Sequence, residues 1–508
     1  MSSNQTSTFR ESLFNPDEFT LTFELVPNRG GKGKGQNRIL ELAKEAAADG
    51  RLRAVSITEN AGGNPTLAPD VLGNEIRKTG LDVINHFSCK DKNRNQIESL
   101  LFAWDRQGLS NLLILTGDYP KKGYYGQPKP VFDLGAVQAL DLIKRMNTGS
   151  TETGHGNKDK QFQPTSFLKG VVVSPFKILE SELLFQYIKL RRKINAGADF
   201  VITQLGYDAR KFHELLLYMK IHNLSVPVLG NVFIPNMPAA KMMYEGELPG
   251  CKIHDRLYQQ IKTEADSADR GKKARLTRAA KLLAVLKGMG YSGAHIGGPG
   301  LAFSDLAFVM DQASLFEADW REFIPELSFW PANGYFIYQK DPNTGLNSAE
   351  ATPLRGSIFH KKSLHYALSK KSHDLMFNPE GSLYGPLKKI CFALERKGFD
   401  AKLDLFEFAI KMLLYKCQNC GDCRLADLAF LCPHSGCAKF LLNGPCGGSQ
   451  DGWCEVYPKK KRCFYVRIFE RLKFQELEKL FTGEVLPPRE WSRNHTSAWL
   501  HFFHDMEN

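Results

Sequence analysis

The chain has 508 residues, of which 43% are hydrophobic and 24% charged, a composition typical of a soluble globular protein with two or three domains. The net charge of +12 is not concentrated in a basic stripe with interleaved aromatics, so we expect no nucleic-acid partner. A polyanionic small ligand accounts for some of this charge equally well. No apolar run is long enough to span a bilayer, and the N-terminus lacks a signal-peptide core, which favours the cytoplasm.

The first 300 residues repeat one unit, in which an amphipathic helix ends at Gly or Asn and a short β-branched strand follows. Strands that alternate with helices indicate parallel βα units, and eight such units fit the length of a barrel. The predicted strands are residues 20–26, 54–60, 83–89, 111–117, 168–174, 200–205, 227–232 and 293–297. A doubly wound open sheet is the alternative, but the G-x-G-x-x-G motif expected after its first strand is absent. The predicted fold is therefore an α/β (β/α)8 TIM barrel over residues 1–310.

The rest of the chain lacks this regular pattern. Residues 147–166 are polar and predict a long loop between the fourth and fifth strands. Residues 311–410 contain many aromatics and a few helices, and we interpret them as a connecting region. Residues 411–508 are predicted to form a smaller cysteine-rich, metal-binding α+β domain with a C-terminal tail.

Candidate catalytic residues lie at the carboxyl ends of the predicted strands, where barrels place their active sites. The polar residues there are Glu24, Thr58, Glu59, Asn60, His86, Ser88, Asp118, Thr203, Gln204 and His295. Glu24 lies inside an apolar strand, where a carboxylate must be paired, hydrated or functional. Four of the others have a structural alternative: Asp118 fits a cap or turn, and Gln204 a plain hydrogen-bonding residue. His86 and His295 fit satisfied core histidines.

Eight of the eleven cysteines fall within 47 residues, and without an export signal such a cluster indicates metal rather than disulfides. They are Cys417, Cys420, Cys423, Cys432, Cys437, Cys446, Cys454 and Cys463. The C-x-x-C-x-x-C spacing fits three corners of a 4Fe–4S cluster, and eight thiolates could hold two such clusters. Zinc is the alternative, although it usually uses two C-x-x-C pairs per site. Unmetallated structural cysteines are the third interpretation.

Five short motifs occur in order along the predicted strands. They are F-E-L-V-P at 23–27, V-S-I-T-E-N-A-G at 55–62, H-F-S-C at 86–89, L-T-G-D-Y-P at 115–120 and A-G-A-D-F-V-I-T-Q at 196–204. Together they resemble the barrel of the methylenetetrahydrofolate reductase family over residues 15–300. The resemblance implies a flavoprotein acting on a tetrahydrofolate substrate, with FAD as the cofactor and FMN as the alternative.

The resemblance also implies roles for individual residues. Glu24 matches the general acid that protonates N10 of the folate and opens its five-membered ring, after which reduced flavin N5 delivers hydride to the methylene carbon. Asp118 matches the carboxylate beside flavin and folate, where it stabilises the iminium and tunes the flavin, and Gln204 matches the pterin-binding glutamine. The positions that match flavin contacts are Thr58, His86, Ser88, Arg192, Lys193 and Ala198.

The source of electrons is less defined. Residues 443–456 (N-G-P-C-G-G-S-Q-D-G-W-C-E-V) resemble the C-terminal domain that accompanies these reductases in some anaerobes, where it is thought to feed electrons to the flavin or to dock a donor. The segments after strands five, seven and eight depart from the family pattern, which leaves NAD(P)H and a ferredoxin-like protein as expected donors. The alternative function is a folate or corrinoid methyl-transfer component with a structural zinc domain. A homo-oligomer is also compatible with the sequence.

Overall fold

The computed structural model describes residues 8–149, 163–353, 363–472 and 485–505. Eight parallel strands close into a barrel in chain order, with the eighth hydrogen-bonded to the first. They are β1 (Thr20–Leu25), β2 (Ala54–Ile57), β3 (Asp82–Ser88), β4 (Asn111–Leu115), β5 (Leu168–Val173), β6 (Phe200–Thr203), β7 (Val228–Phe233) and β8 (Gly293–Gly297). The predicted barrel is confirmed. Most of the predicted loop at 147–166, namely residues 150–162, lies outside the described residues.

Helices surround the barrel and connect its strands. They are α1 (Phe9–Phe14), α2 (Lys34–Asp49), α3 (Pro69–Arg77), α4 (Arg94–Arg106), α5 (Ala136–Thr148), α6 (Glu180–Asn195), α7 (Ala209–Ile221), α8 (Met237–Glu245), α9 (Asp255–Glu264), α10 (Lys272–Met289) and α11 (Phe303–Phe316). The left-handed glycine caps predicted from the sequence are present, since Gly50 ends α2 at φ 79° and Gly290 ends α10 at φ 91°.

Helix α1 closes the amino-terminal end of the barrel. Its Phe9 is fully buried and packs edge-to-face on Phe200, at the start of β6, with ring centroids 5.5 Å apart. The backbone N–H of Phe9 donates to the carboxylate of Asp82, at the start of β3. A capping box between Thr8 and Glu11 fixes where the helix begins. The apolar lower layer of the barrel is therefore sealed by its own N-terminal helix.

The chain after α11 forms a small hairpin and then a helical unit. The hairpin consists of the antiparallel strands β9 (Tyr338–Lys340) and β10 (Asn347–Ala351). The helices are α12 (Leu364–Met376), α13 (Tyr384–Arg396), α14 (Asp400–Tyr415), α15 (Pro433–Gly436), α16 (Phe464–Leu472) and α17 (Ala498–Asp505). We call residues 363–472 and 485–505 the C-terminal unit. None of the described helices is both long and apolar enough to cross a lipid bilayer.

The C-terminal unit packs on helix α6 of the barrel. Tyr465 and Ile468 of α16 are buried with Phe185 and Ile188 of α6 in one apolar cluster. Within its described residues the unit contains helices and irregular loops, and its β pairing is limited to isolated bridges around Trp453. The expected α+β domain is thus helical, because its cysteine-bearing loops are rich in Gly and Pro and lack the alternating pattern of strands.

Candidate active site

Glu24 lies at the carboxyl end of β1, one residue before the strand ends. Its side chain is recessed in the barrel mouth beside Gly297 of β8. Within the described chain no group donates a hydrogen bond to its carboxylate, and burial raises the pKa of Glu24 to about 7. A carboxyl group with this pKa is present in both protonation states at neutral pH, which is the requirement for a general acid.

The strand register places several predicted residues on the inward-facing side of the barrel, above the level of Glu24. Glu24 pairs with Ser56 of β2, and residues two apart on a strand face the same side, so Thr58 lies one layer above Ser56. The same alternation carries Ser88 and Gln204 into the upper interior, above the buried His86 and Ile202. Four of the predicted site residues therefore surround one opening.

Asp118 follows β4 and is held by backbone from a neighbouring loop. The N–H of Gly62 donates to its Oδ2 at 2.9 Å. Burial raises the pKa of Asp118, and the ammonium of Lys439 in the C-terminal unit partly offsets that rise. Asp118 thus connects its own loop to the short 3-10 turn at Ala61–Gly63 by accepting a backbone N–H near the start of that turn. Its exposure is intermediate, so the carboxylate borders the opening.

The two histidines lie deeper, in a polar layer inside the barrel. Nδ1 of His295 is 2.8 Å from Oγ1 of Thr22, and Nε2 of both His295 and His86 lies 3.3 Å from Oγ of Ser56. Burial lowers the pKa of His86 to about 3 and that of His295 to about 4, so both rings are neutral. This arrangement agrees with satisfied core histidines. Direct contact of His86 with a flavin stays a prediction.

Four buried polar atoms at the mouth have no hydrogen-bond partner among the described residues. They are Oγ1 of Thr58, Oγ of Ser174, the hydroxyl of Tyr207 and Oδ1 of Asn231. Thr58 and Ser174 directly follow β2 and β5, Asn231 lies in β7, and Tyr207 lies four residues beyond the end of β6. These atoms are available to a polar ligand, and atoms of the same kind also occur away from the mouth, as at Asn85 and Trp104. A heterocycle with several donors and acceptors fits this set.

The residues predicted to contact the outer part of a flavin have protein partners. Arg192 donates from Nη1 to Oδ1 of Asn443, 3.3 Å away, and Lys193 donates from Nζ to the carbonyl of Val172 at 2.5 Å. Ala198 is buried in the turn between α6 and β6. In the described chain these hydrogen bonds of Arg192 and Lys193 therefore do not join them to Glu24. Instead, Arg192 contacts the C-terminal unit.

Sequence reasoning missed several residues of the mouth. Burial raises the pKa of Cys251 to about 12, and the charges of both Asp118 and Glu24 act on its thiol, which places Cys251 near both acids. Tyr207 is also close to Cys251. Neither residue belongs to a recognisable motif, since both lie in loops. Ser174 could have been found, because it continues the inward-facing alternation of β5.

The eight cysteines divide into two groups of four, each around a small cavity. The distal group is Cys417, Cys420, Cys423 and Cys432. The barrel-side group is Cys437, Cys446, Cys454 and Cys463. All eight are free thiols, and burial raises the pKa of Cys420 and of Cys463 to about 12.

Four thiols per cavity match an iron–sulfur or zinc site in the number and kind of donors. As the side chains stand, however, no three His, Cys, Asp or Glu groups in the described ranges converge closely enough to hold an ion. The metal sites therefore stay predictions, and the partition into two groups is what the structure adds.

The barrel-side group is fixed to the barrel by buried lysines. Lys177 donates to the carbonyls of Gly447 and Ser449 at 2.5 and 2.6 Å, and Lys189 donates to the carbonyl of Pro445 at 2.7 Å. These carbonyls flank Cys446. The loop that carries this cysteine is therefore held at the rim of the barrel, close to the candidate site.

Comparison with known proteins shows likeness over both parts of the chain. Residues 397–492 match the family model described as methylene-tetrahydrofolate reductase C terminal. Methylenetetrahydrofolate reductase 2 of Saccharomyces cerevisiae is 26% identical over 183 residues, which cover 35% of this chain and 28% of that protein. 5,10-Methylenetetrahydrofolate reductase of Pectobacterium carotovorum is 24% identical over 211 residues, which cover 41% of this chain and 62% of that protein. These alignments thus span only part of each relative.

Among solved structures, an uncharacterized protein from Clostridium thermocellum, described as binding two copies of 5-methyl-5,6,7,8-tetrahydrofolic acid, aligns with a TM-score of 0.43 at 14% identity. The alignment covers 62% of this chain and 100% of that one. Residues 10–297 match the family model described as methylenetetrahydrofolate reductase. Because that match spans more than half of the 508 residues, the protein belongs to the methylenetetrahydrofolate reductase family.

Proposed function

We propose that the barrel mouth reduces 5,10-methylenetetrahydrofolate to 5-methyltetrahydrofolate with a flavin as the redox cofactor. The observation that carries the proposal is the carboxyl group of Glu24, which lies in the mouth with a pKa raised to about 7. Membership of the family supports this reaction, because the aligned parts of the relatives belong to proteins named as reductases of this substrate.

We assign one task each to Glu24, Asp118 and Gln204. Glu24 donates its proton to N10 of the folate, which opens the five-membered ring and leaves an iminium cation at N5. The carboxylate of Asp118 stabilises that positive charge. Gln204, whose Oε1 accepts the N–H of Leu205, binds the pterin through its remaining amide groups. When bound, reduced flavin supplies the hydride to the methylene carbon.

The flavin ring is assigned to the unsatisfied polar groups of the mouth. Thr58 and Ser174 offer hydroxyls without partners in the described chain, and Ser88 adds a hydroxyl at the end of β3 that already accepts the N–H of Lys90. FAD is the proposed cofactor and FMN the alternative. Because Arg192 and Lys193 already have protein partners, they would have to share their hydrogen bonds with the outer part of either flavin.

We assign the two cysteine groups to iron–sulfur clusters, with zinc as the alternative. The support is the partition of eight thiols into two sets of four. Clusters held there would carry single electrons. The attachment of the barrel-side group to the rim supports a ferredoxin-like donor acting through the C-terminal unit, and NAD(P)H is the alternative donor.

The test is anaerobic purification of the full chain, followed by a visible spectrum and metal analysis. We expect bound flavin that bleaches with reductant and reoxidises on addition of methylenetetrahydrofolate, with 5-methyltetrahydrofolate identified by chromatography. A protein that takes up neither FAD nor FMN would overturn the reductase proposal. Stoichiometric zinc without iron would overturn the cluster assignment and favour a structural zinc unit.

A further inference from the structure

One residue of the C-terminal unit reaches into the barrel mouth. Lys439 is only 2% exposed, and its Nζ donates to the carbonyl of Gly117 at 2.7 Å. The same ammonium forms an ion pair with Glu455 and lies 5.5 Å from the ring centroid of Phe132. Gly117 and Phe132 both belong to the chain that follows β4, so a cation from a distant part of the sequence is anchored directly beside Asp118.

The backbone that Lys439 holds has a specific conformation. Gly117 has φ 86°, and a β-carbon there would lie 2.1 Å from Oγ of Ser88, so only glycine fits. Phe132 has φ 46°, a left-handed conformation that persists in a bulky residue only where the surroundings impose it. Lys439 bonds to the first of these residues and contacts the second. Asp118, the residue next to Gly117, is tied on its other side by the N–H of Gly62.

The ion pair connects this loop to the barrel-side cysteine group. Oε2 of Glu455 lies 3.4 Å from Sγ of Cys446, and the carboxylate occupies the space where Gly448 would carry a side chain. The contacts therefore run without a break from Gly117 through Lys439 and Glu455 to Cys446. A buried ammonium without its carboxylate would be costly, so the two side chains act together.

We propose that Lys439 is a positioning residue of the barrel site: it fixes the Gly117 peptide, and so the carboxylate of Asp118, and places a positive charge beside it. The inference rests on the proposed function, because the role of Asp118 at folate and flavin is part of that proposal. It makes the C-terminal unit a contributor to the mouth itself. The electrostatics of Asp118 agree with this placement of the charge, because the Lys439 cation lowers the pKa of Asp118 against the effect of burial.

The test compares Lys439→Met and Lys439→Arg in the full chain, with Lys460→Met as the matched control because Lys460 is an exposed lysine of the same unit. We expect Lys439→Met to lower kcat on the order of 100-fold, the scale of a small misplacement of reacting groups. We also expect a more negative midpoint potential of the bound flavin, because a cation near the mouth favours the reduced, more anionic form. Lys439→Arg should retain most of the wild-type kcat and a midpoint potential close to that of wild type. Lys460→Met should match wild type in both measurements.

Since Lys439→Met leaves Glu455 buried without its partner, the double variant Lys439→Met/Glu455→Gln keeps the test informative if the single variant fails to fold. It should fold and show the same loss of kcat and the same shift in potential. If a folded variant without Lys439 has the wild-type kcat and flavin potential, the positioning role of Lys439 is overturned and the proposed function is unaffected. Absence of flavin binding by the wild-type chain would instead overturn the proposed function, so the two failures are distinguishable.

Discussion

A β-carbon built at Gly297 would lie 3.5 Å from Cβ of Glu24 and 3.6 Å from its Oε1. β8 thus contributes bare backbone next to the proposed acid, and the carboxyl group has room without gaining a hydrogen-bond donor from that strand. The raised pKa of Glu24 therefore comes from burial rather than from a neighbouring charge. Two of the predictions below depend on this environment.

Glu24→Gln should keep flavin binding and lose methylene reduction. An amide has nearly the same shape as the carboxyl group but cannot donate the proton, and positioned acids contribute roughly 100- to 10,000-fold to rate. The measurement is single-turnover oxidation of the reduced flavin by methylenetetrahydrofolate. Glu41→Gln, on the exposed face of α2, is the control and should behave as wild type. Near-full activity in Glu24→Gln would show that another group is the acid.

The same substitution should stabilise the protein in a pH-dependent way. With a pKa of about 7 in the folded state and 4.5 as its ordinary value, Glu24 binds more protons folded than unfolded between these limits. Wild-type stability therefore falls as pH rises through this window. Relative to wild type, Glu24→Gln should gain about 2 to 3 kcal/mol between about pH 5 and about pH 8. Denaturant unfolding at both pH values is the check, and an equal difference at the two would contradict the raised pKa.

Thr58→Val should stabilise the ligand-free protein and weaken flavin binding. The hydroxyl of Thr58 is buried without a described partner, so its removal should gain about 1 kcal/mol in the apoprotein while costing a hydrogen bond in the complex. Thr203→Val is the matched control, because the hydroxyl of Thr203 accepts the N–H of Asn231 at 2.9 Å. That control should destabilise the protein. If Thr58→Val is destabilising and leaves flavin affinity intact, the ligand assignment of Thr58 is wrong.

Substitution of a cysteine in one of the two groups should remove the metal of that group and leave the metal of the other. In anaerobic protein we expect iron in excess of zinc, and serine at Cys420 or at Cys463 should each remove about half of the iron. Cys391→Ala is the control, since Cys391 is buried among apolar residues of α13 and α17. Iron and zinc measured by mass spectrometry decide the outcome. Loss of all metal from either serine variant would show that the eight thiols form one interdependent site.

The barrel could be predicted because its signals are local. Each βα unit carries its own glycine cap and apolar strand, as at Gly50 before β2 and Gly290 before β8. The register then follows from closure, so Glu24, Thr58 and Gln204 could be placed at the mouth without coordinates. Glu24 was identifiable because a carboxylate in an apolar strand has few structural explanations.

The remaining features depend on contacts that no local pattern encodes. Lys439 lies 322 residues from Gly117, and nothing in its own segment indicates that it reaches the mouth. Arg192 and Lys193 were assigned by resemblance, but here the C-terminal unit and the backbone of β5 provide their partners. The helical character of the C-terminal unit was missed because cysteine spacing reports ligand chemistry rather than secondary structure.

The seal formed by Phe9 against Phe200 has a kinetic consequence. In the described part of the chain α1 closes the amino-terminal end of the barrel, so ligands of the Glu24 site approach it from the carboxyl ends of the strands. Two bulky reactants would then compete for the same opening, so each should inhibit the enzyme at high concentration. A donor that acts from the C-terminal unit does not use this opening, so it should not compete with the folate. The position of α1 thus determines whether the two reactants share one entrance to the site.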